Sequence, residues 1–375
     1  MKSEKFNKKI GIFTNNDDDI YCFRKELIEA FIDNGFDVLI SCPYGEKFEL
    51  MKDIEYTYDD PFIDRRGTDI ISDIKLFFHY FTLLRKEKPD IVLTYTAKPN
   101  VYCTLAAFLQ GIPVIANVTG FGSVLEKRGI LQQFIMKLFK FSYRRAACIM
   151  FQNSTNMKLA QDNGMVKGDS KLIPGSGVNT DRYPLIDYPD DSDGIVFNYI
   201  GRILHDKGVD DYIECAKRIT AKYPYVRFNM LGFIEPTEMH YKKELESLEE
   251  NGVVYYLGSQ NDVRPFMASS HATIHPSTYG EGMSNVLLES ASSGRPVIST
   301  DNPGCRETFI DNETGLLYHG GDVDALCNKV EEFINMPNEK RREMGIKGRE
   351  YIKENFSRDI VIKAYLEKIN LYLKG

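Results

Sequence analysis

Short apolar runs alternate with longer amphipathic stretches along this whole chain, and the series runs twice. In the first series, Ile10–Thr14, Asp37–Ser41, Asp90–Tyr95, Pro113–Val118 and Cys148–Gln152 read as strands, and Ile20–Asn34, Ile70–Glu87, Val101–Leu109 and Ile130–Ala146 as helices. The rhythm pauses over the turn-rich, polar residues 174–194 and resumes. Ile195–Ile200, Val226–Leu231, Val253–Leu257, Ala272–Ile274 and Pro296–Thr300 are the second set of strands, and three helices finish the chain. Strands apolar over their whole length must be covered on both faces, and the stretches between them are helical by period. The pattern therefore predicts α/β architecture with two doubly wound parallel sheets, each its own domain, facing across a cleft at their strand C-terminal ends.

Length and charge bound what such a chain does. Its 375 residues suit two domains. A net charge of −7 and a pI of about 5.6 argue against a nucleic-acid binder. Seven scattered cysteines with no CxxC argue against a disulfide framework or zinc ribbon and fit a reducing, cytoplasmic setting. The charged start MKSEKFNKK is not a signal core, and no apolar run reaches the ~18 residues of a membrane span.

Residues 101–171 carry nine Lys or Arg against three Asp or Glu, six of the nine being Lys127, Arg128, Lys137, Lys140, Arg144 and Arg145. They are interleaved with Phe134, Ile135, Leu138, Phe139 and Phe141. Such a helix can lie on an anionic membrane surface. The alternative is a core-packed helix with a solvated basic face.

Three segments of the second half converge on one chemistry. Gly201-Arg202 through Lys207-Gly208 follows a strand directly; Gly201 is expected to permit a sharp turn, and the two cations read equally as a diphosphate clamp or as surface ion pairs. Next, His275-Pro-Ser-Thr-Tyr-Gly-Glu281-Gly282-Met283-Ser284-Asn285 leads from a strand into a helix bearing Glu289. Its backbone N–H groups at a helix start form an anion cradle with a carboxylate on each side. Glu289 lies among Leu287, Leu288 and Ala291, where an unpaired charge would be costly. Third, Gly294-Arg-Pro-Val-Ile reads as a helix stop and a buried strand.

With its Glu-x7-Glu spacing, this set resembles the retaining GT-B glycosyltransferases of the large family four. Tyr95-Thr-Ala-Lys98-Pro-Asn, Val118-Thr119-Gly120-Phe121-Gly122 and Phe151-Gln-Asn153 resemble the branch that builds capsule, exopolysaccharide and lipid-linked oligosaccharides. The resemblance implies an acceptor domain over 1–180, a nucleotide-sugar domain over 190–355, and a final helix, 356–375, packing back on the first. It implies that Arg202 and Lys207 neutralise the diphosphate, that Glu281 contacts the donor sugar, and that Glu289 holds the ribose. Gly201 and Gly282 belong to the same donor site, and the N–H groups of Met283, Ser284 and Asn285 face the phosphates. The implied substrates are a UDP-sugar, rather than a GDP-sugar, and a saccharide acceptor linked to polyprenyl diphosphate, handled by a peripheral enzyme on the inner membrane face. No metal or other cofactor is implied.

Two departures stand out. The loop Thr14-Asn15-Asn-Asp-Asp-Asp19 lacks the glycines common in relatives. Thr119-Gly120-Phe-Gly stands where many relatives place a histidine. Asn15, Lys98, Thr119 and Gly120 are therefore the acceptor-side candidates. His79, on a helix, reads as packed, and His205, beside the cationic pair, is a minor candidate. Rival readings are a nonhydrolysing UDP-sugar epimerase and a non-catalytic sugar-nucleotide module. A dinucleotide-dependent dehydrogenase lacks its G-x-G-x-x-G here, and a metal hydrolase lacks a histidine pattern.

Overall fold

The computed structural model describes residues 8–64, 67, 69–121 and 130–374. The chain forms two compact units, Met1–Ser176 together with Arg358–Gly375, and Gly177–Ser357.

The first unit holds strands β1 (Lys9–Phe13), β2 (Asp37–Ser41), β3 (Thr57–Asp59), β4 (Ile91–Tyr95), β5 (Val114–Val118), β6 (Cys148–Phe151) and β7 (Asp169–Leu172). Its helices are α1 (Asp17–Asp33), α2 (Ile70–Glu87), α3 (Ala97–Phe108), α4 (Ile130–Tyr143) and α5 (Ser154–Asp162). The strands pair in parallel in the order 3-2-1-4-5-6-7. Successive residues enter opposite cores. Ile10, Ile12, Ile91 and Leu93 join Ile28 and Phe31 of α1, whereas Phe13 and Val92 join Tyr80 and Leu84 of α2. Burial on both faces is why these strands read as continuous apolar runs. Each fully buried side chain of this kind contributes about 1.5–3 kcal/mol.

Two helices start earlier than their apolar periodicity suggests. Helix α1 begins at Asp17 because the Asn16 side chain accepts the Asp19 N–H at 2.8 Å, and three aspartates in the first turn meet the positive end of the dipole. The acidic run is thus a helix start. Helix α3 begins at Ala97, before Pro99, because a proline in the first turn removes no helical hydrogen bond.

The second unit holds β8 (Ile195–Ile200), β9 (Val226–Leu231), β10 (Tyr255–Tyr256), β11 (Ala272–His275), β12 (Val297–Thr300) and β13 (Gly315–Tyr318). They pair in parallel in the order 10-9-8-11-12-13. Helices α6 (Val209–Lys222), α7 (His240–Glu250), α8 (Arg264–Ala268), α9 (Asn285–Ser292), α10 (Val323–Asn335) and α11 (Asn338–Asn355) connect and follow them. The last helix, α12 (Arg358–Lys374), returns to the first unit. There Arg358 meets Glu26 at 3.1 Å, and Tyr365 and Ile369 enter the core with Ile12.

Candidate active site

In the second unit three neighbouring strands, β9, β8 and β11, end side by side. The loops leaving those ends carry the charged groups. After β8, Arg202 turns its guanidinium to Glu235, which follows β9, at 2.9 Å; Glu235 is only 3% exposed. The chain then makes one 3-10 turn and reaches Gly208 at φ +73°. A Cβ there would sit 2.1 Å from the Pro276 carbonyl oxygen, so only glycine lets this loop lie against the one leaving β11. The Thr278 N–H closes the contact by donating to the Asp206 carbonyl at 3.1 Å.

Gly201 sits at a bend directly after β8. Its φ is not positive, and an added Cβ would meet only the Tyr199 side chain, at 3.5 Å. The bend there does not depend on glycine. The backbone demand falls on Gly208 and on Gly232, where a Cβ would collide with the Gly201 carbonyl oxygen.

The ammonium of Lys207 bonds the Glu281 carboxylate, which also accepts the Ser277 hydroxyl at 3.2 Å. Burial alone pushes the Glu281 carboxyl up, but Lys207 and then His275 beside it hold it well below the ordinary carboxylate range. Lys207 also lies 4.9 Å from the centre of the Tyr279 ring. Gly282, Met283 and Ser284 are buried as the loop closes onto α9. The Ser284 N–H donates to the Gly304 carbonyl at 2.8 Å, so it turns into the fold, and Asn285 opens the helix. Glu289 is half-buried on α9. His205, at the loop's edge, pairs with Asp210 at 2.6 Å. The structure thus brings Arg202, Lys207, Glu281 and the start of α9 to the C-terminal edge of one sheet.

In the first unit, Asn15 follows β1, and Thr119 and Gly120 follow β5, all half-buried at the C-terminal edge of that sheet. Lys98 follows β4, in the first turn of α3, at the same edge. Its ammonium is bound to Asp73 at 2.6 Å, which also accepts the Tyr102 hydroxyl at 2.7 Å, so it ties α3 to α2. His79 pairs with Asp59 at 2.9 Å. On α4, Phe139 and Tyr143 are buried and stacked, whereas Phe134 and Phe141 are 61% and 50% exposed. Lys137, Lys140 and Arg144 are exposed beside them, and the Arg145 guanidinium lies 3.5 Å above the Phe141 ring. Gly122, Lys127 and Arg128 lie outside the described residues. Among the described residues no helix is long and apolar enough to cross a membrane, and no cluster of three His, Cys, Asp or Glu side chains is placed to hold a metal.

Comparison with known proteins adds the family. Residues 187–351 match the family model described as glycosyl transferases group 1, and residues 9–153 match that of glycosyl transferase 4-like proteins. The chain belongs to the group 1 glycosyltransferases. It is 27% identical to the capsular polysaccharide biosynthesis glycosyltransferase CapM of Staphylococcus aureus, over 83% of this chain and 84% of CapM. It is 24% identical to the N,N'-diacetylbacillosaminyl-diphospho-undecaprenol alpha-1,3-N-acetylgalactosaminyltransferase of Campylobacter jejuni, over 98% of this chain and all of that one. Among solved structures, HepE of Anabaena in complex with UDP and glucose superposes with a TM-score of 0.81 at 17% identity, covering 97% of this chain and 100% of HepE. The likeness establishes the GT-B fold.

Two side chains of the candidate site were not singled out from the sequence. Glu235 sits in Gly-Phe-Ile-Glu-Pro after β9, where a charge before proline reads as solvated loop. His275 reads as the first loop residue after the strand Ala272–Ile274. The signal available for both is position, since each lies at or just past the C-terminal end of a strand adjoining β8.

Proposed function

We propose that this glycosyltransferase moves a hexosyl or N-acetylhexosaminyl group, with retention, from a UDP-sugar to a saccharide carried on polyprenyl diphosphate at the inner face of the cell membrane. The observation that carries the reading is the gathering of Arg202, Lys207, Glu281 and the start of α9 at one sheet edge. A departing nucleoside diphosphate accumulates negative charge, and cations with oriented N–H groups are what stabilise it in a partly buried site. In this reading Arg202 and Lys207 take the diphosphate, which approaches over the side-chain-free Gly201. Glu281 accepts hydroxyls of the transferred sugar, and Glu289 accepts those of the ribose. The backbone of Gly282, Met283, Ser284 and Asn285 lines the phosphates, with the N–H groups beyond Ser284 as donors. The incoming hydroxyl attacks on the face the diphosphate leaves and passes its proton to a departing phosphate oxygen. Asn15, Lys98, Thr119 and Gly120 belong to the acceptor side.

Support for the finer points comes from relatives. The HepE structure contains UDP and glucose. The Campylobacter relative and an Escherichia coli galactosyltransferase that names UDP-Gal as donor both make alpha-1,3 linkages on diphospho-undecaprenol carriers. UDP-hexoses of this kind are α-linked, so an α product means retention. The basic, Phe-bearing face of α4 supports docking at an anionic bilayer.

The test begins with a thermal-shift screen against nucleotide sugars, since a ligand that binds the native state raises Tm by mass action. A UDP-sugar is expected to stand out. The selected donor should then give an α-linked product on a polyprenyl-diphosphate-linked saccharide with EDTA present. No transfer to any such acceptor would overturn the reading, and a free sugar isomer formed without acceptor would establish the epimerase instead.

A further inference from the structure

His275 ends β11 and is 4% exposed. Its Nε2 lies 3.2 Å from the Ser284 hydroxyl oxygen and 3.8 Å from Glu281 Oε1, whereas its Nδ1 is buried without a hydrogen-bond partner. Burial pushes the imidazole below its usual range, so the ring is neutral and carries one N–H. With that hydrogen on Nδ1, a donor would be buried unpaired and the Nε2 lone pair would face a carboxylate. With it on Nε2, the N–H donates to the Ser284 hydroxyl with Glu281 close behind, and only a lone pair is orphaned. The second tautomer costs less.

Ser284 is the N-cap residue of α9. A serine there ordinarily accepts the N–H of the second or third helical residue, and its φ of −78° and ψ of 102° are ordinary extended values that leave this open. The side chain makes no such bond. The hydroxyl is held instead by His275, while the Ser284 N–H is fixed to Gly304. The loop that carries Glu281 is thereby pinned at both ends, by its first residue and its last.

We infer that His275 is a positioning residue that keeps the Ser284 hydroxyl from capping α9, leaving the first-turn N–H groups open to the donor diphosphate and steadying Glu281 with the same ring edge. This rests on the proposed donor site. Without the imidazole N–H, the hydroxyl turns onto the helix, and an incoming diphosphate must displace it.

A double-mutant cycle tests the inference with UDP itself as the probe. UDP affinity is measured by calorimetry, alongside donor KM and kcat, in wild type, His275→Phe, Ser284→Ala and the double variant, each checked for folding by circular dichroism. His275→Phe should weaken UDP and raise donor KM by about tenfold, the scale of a displaced cap. Ser284→Ala in that background should recover most of the loss, because no hydroxyl is left to cap. A packing role alone would leave the double variant as weak as His275→Phe or weaker. Where His275→Phe does not fold, His275→Leu takes its place in the same cycle. Wild-type affinity in the single His275 variant, or no recovery in the double variant, overturns the positioning role and leaves the transferase reading standing. Absence of UDP binding in the wild type removes the donor site itself.

Discussion

Lys207 and Glu281 are bonded to each other with side chains only 12% and 13% exposed. A pair this far from water is expensive to break, because removing one partner leaves the other charge buried alone, at about 3–5 kcal/mol. The same two groups sit where a sugar diphosphate is proposed to bind.

Lys207→Met should therefore be damaging twice over. Turnover at saturating donor should fall by about 10²-fold or more, the scale of one lost electrostatic contact to the transition state. Stability should fall as well, with a pH signature. In the wild type Glu281 titrates below its unfolded value, so its contribution is full above the unfolded pKa and is lost only as pH falls through the lower folded one. In Lys207→Met, burial without the cation raises the carboxyl, and protonation at mildly acidic pH relieves the penalty. Urea unfolding at pH 7 and pH 5 should show the gap to wild type narrowing at the lower pH. Near wild-type turnover in this variant would exclude Lys207 from the reaction.

Arg202 presents a related case with a different geometry. Its partner Glu235 is 3% exposed while Arg202 itself is 38% exposed, so the acid is the anchor and the guanidinium is the part that reaches solvent. Glu235→Gln keeps an acceptor oxygen for the guanidinium but removes the carboxylate charge, so the contact loses its ion-pair attraction and its second equivalent oxygen. We expect kcat/KM to drop by about tenfold in Glu235→Gln and by about 10²-fold in Glu235→Ala, where the guanidinium loses its fixed direction. Equal kcat/KM in wild type and Glu235→Ala would make the pair a surface feature without catalytic consequence.

What the sequence reveals and what it hides divide along physical lines. Helix α2 is readable to the residue because its apolar period is unbroken and Lys88-Pro89 stops it. The loops after β8 and β11 are readable because their glycines and charges are contiguous in the chain. Long-range partners are not. Arg202 meets Glu235 across 33 residues, and Lys98 meets Asp73 across 25, so the ion pairs that orient these cations are invisible to local pattern. Gly201 illustrates the converse, since its neighbour Gly232, a strand away, carries the conformational constraint. Pairing across a parallel sheet is set by strand order, which local pattern leaves open.

Glu289 is separable from the phosphate groups. It lies half-buried on α9, and its proposed partner is the ribose. Glu289→Ala should weaken UDP by about ten- to a hundredfold, the range of a hydrogen bond to a charged group. Inorganic pyrophosphate, which has no ribose, should bind both proteins alike. Parallel calorimetric titrations decide this, and UDP affinity equal to wild type would assign the carboxylate another task.

The face of α4 leads to the last prediction. From Ala97 to Ala160 the described residues include six cations, Lys98, Lys137, Lys140, Arg144, Arg145 and Lys158, and no Asp or Glu. Lys98 is neutralised by Asp73, but Lys137, Lys140 and Arg144 are exposed, and Arg145 stacks on the half-exposed Phe141 ring. Each basic residue near an anionic bilayer is worth about 1 kcal/mol, so four give attachment that is usable and reversible. The protein should float with liposomes containing anionic lipid at low salt. It should be released at ~1 M salt, where the screening length shrinks to ~3 Å. Changing Lys137, Lys140, Arg144 and Arg145 to Glu should abolish flotation. Phe134→Ser with Phe141→Ser should remove the part that salt leaves behind, since insertion of the rings is apolar and unscreened. Both variants should still use a water-soluble acceptor analogue, because these side chains lie on α4 and not at the donor site. Equal flotation of the charge-reversed variant would show that the basic face is solvated and nothing more, leaving the transferase reading to stand on the second unit alone.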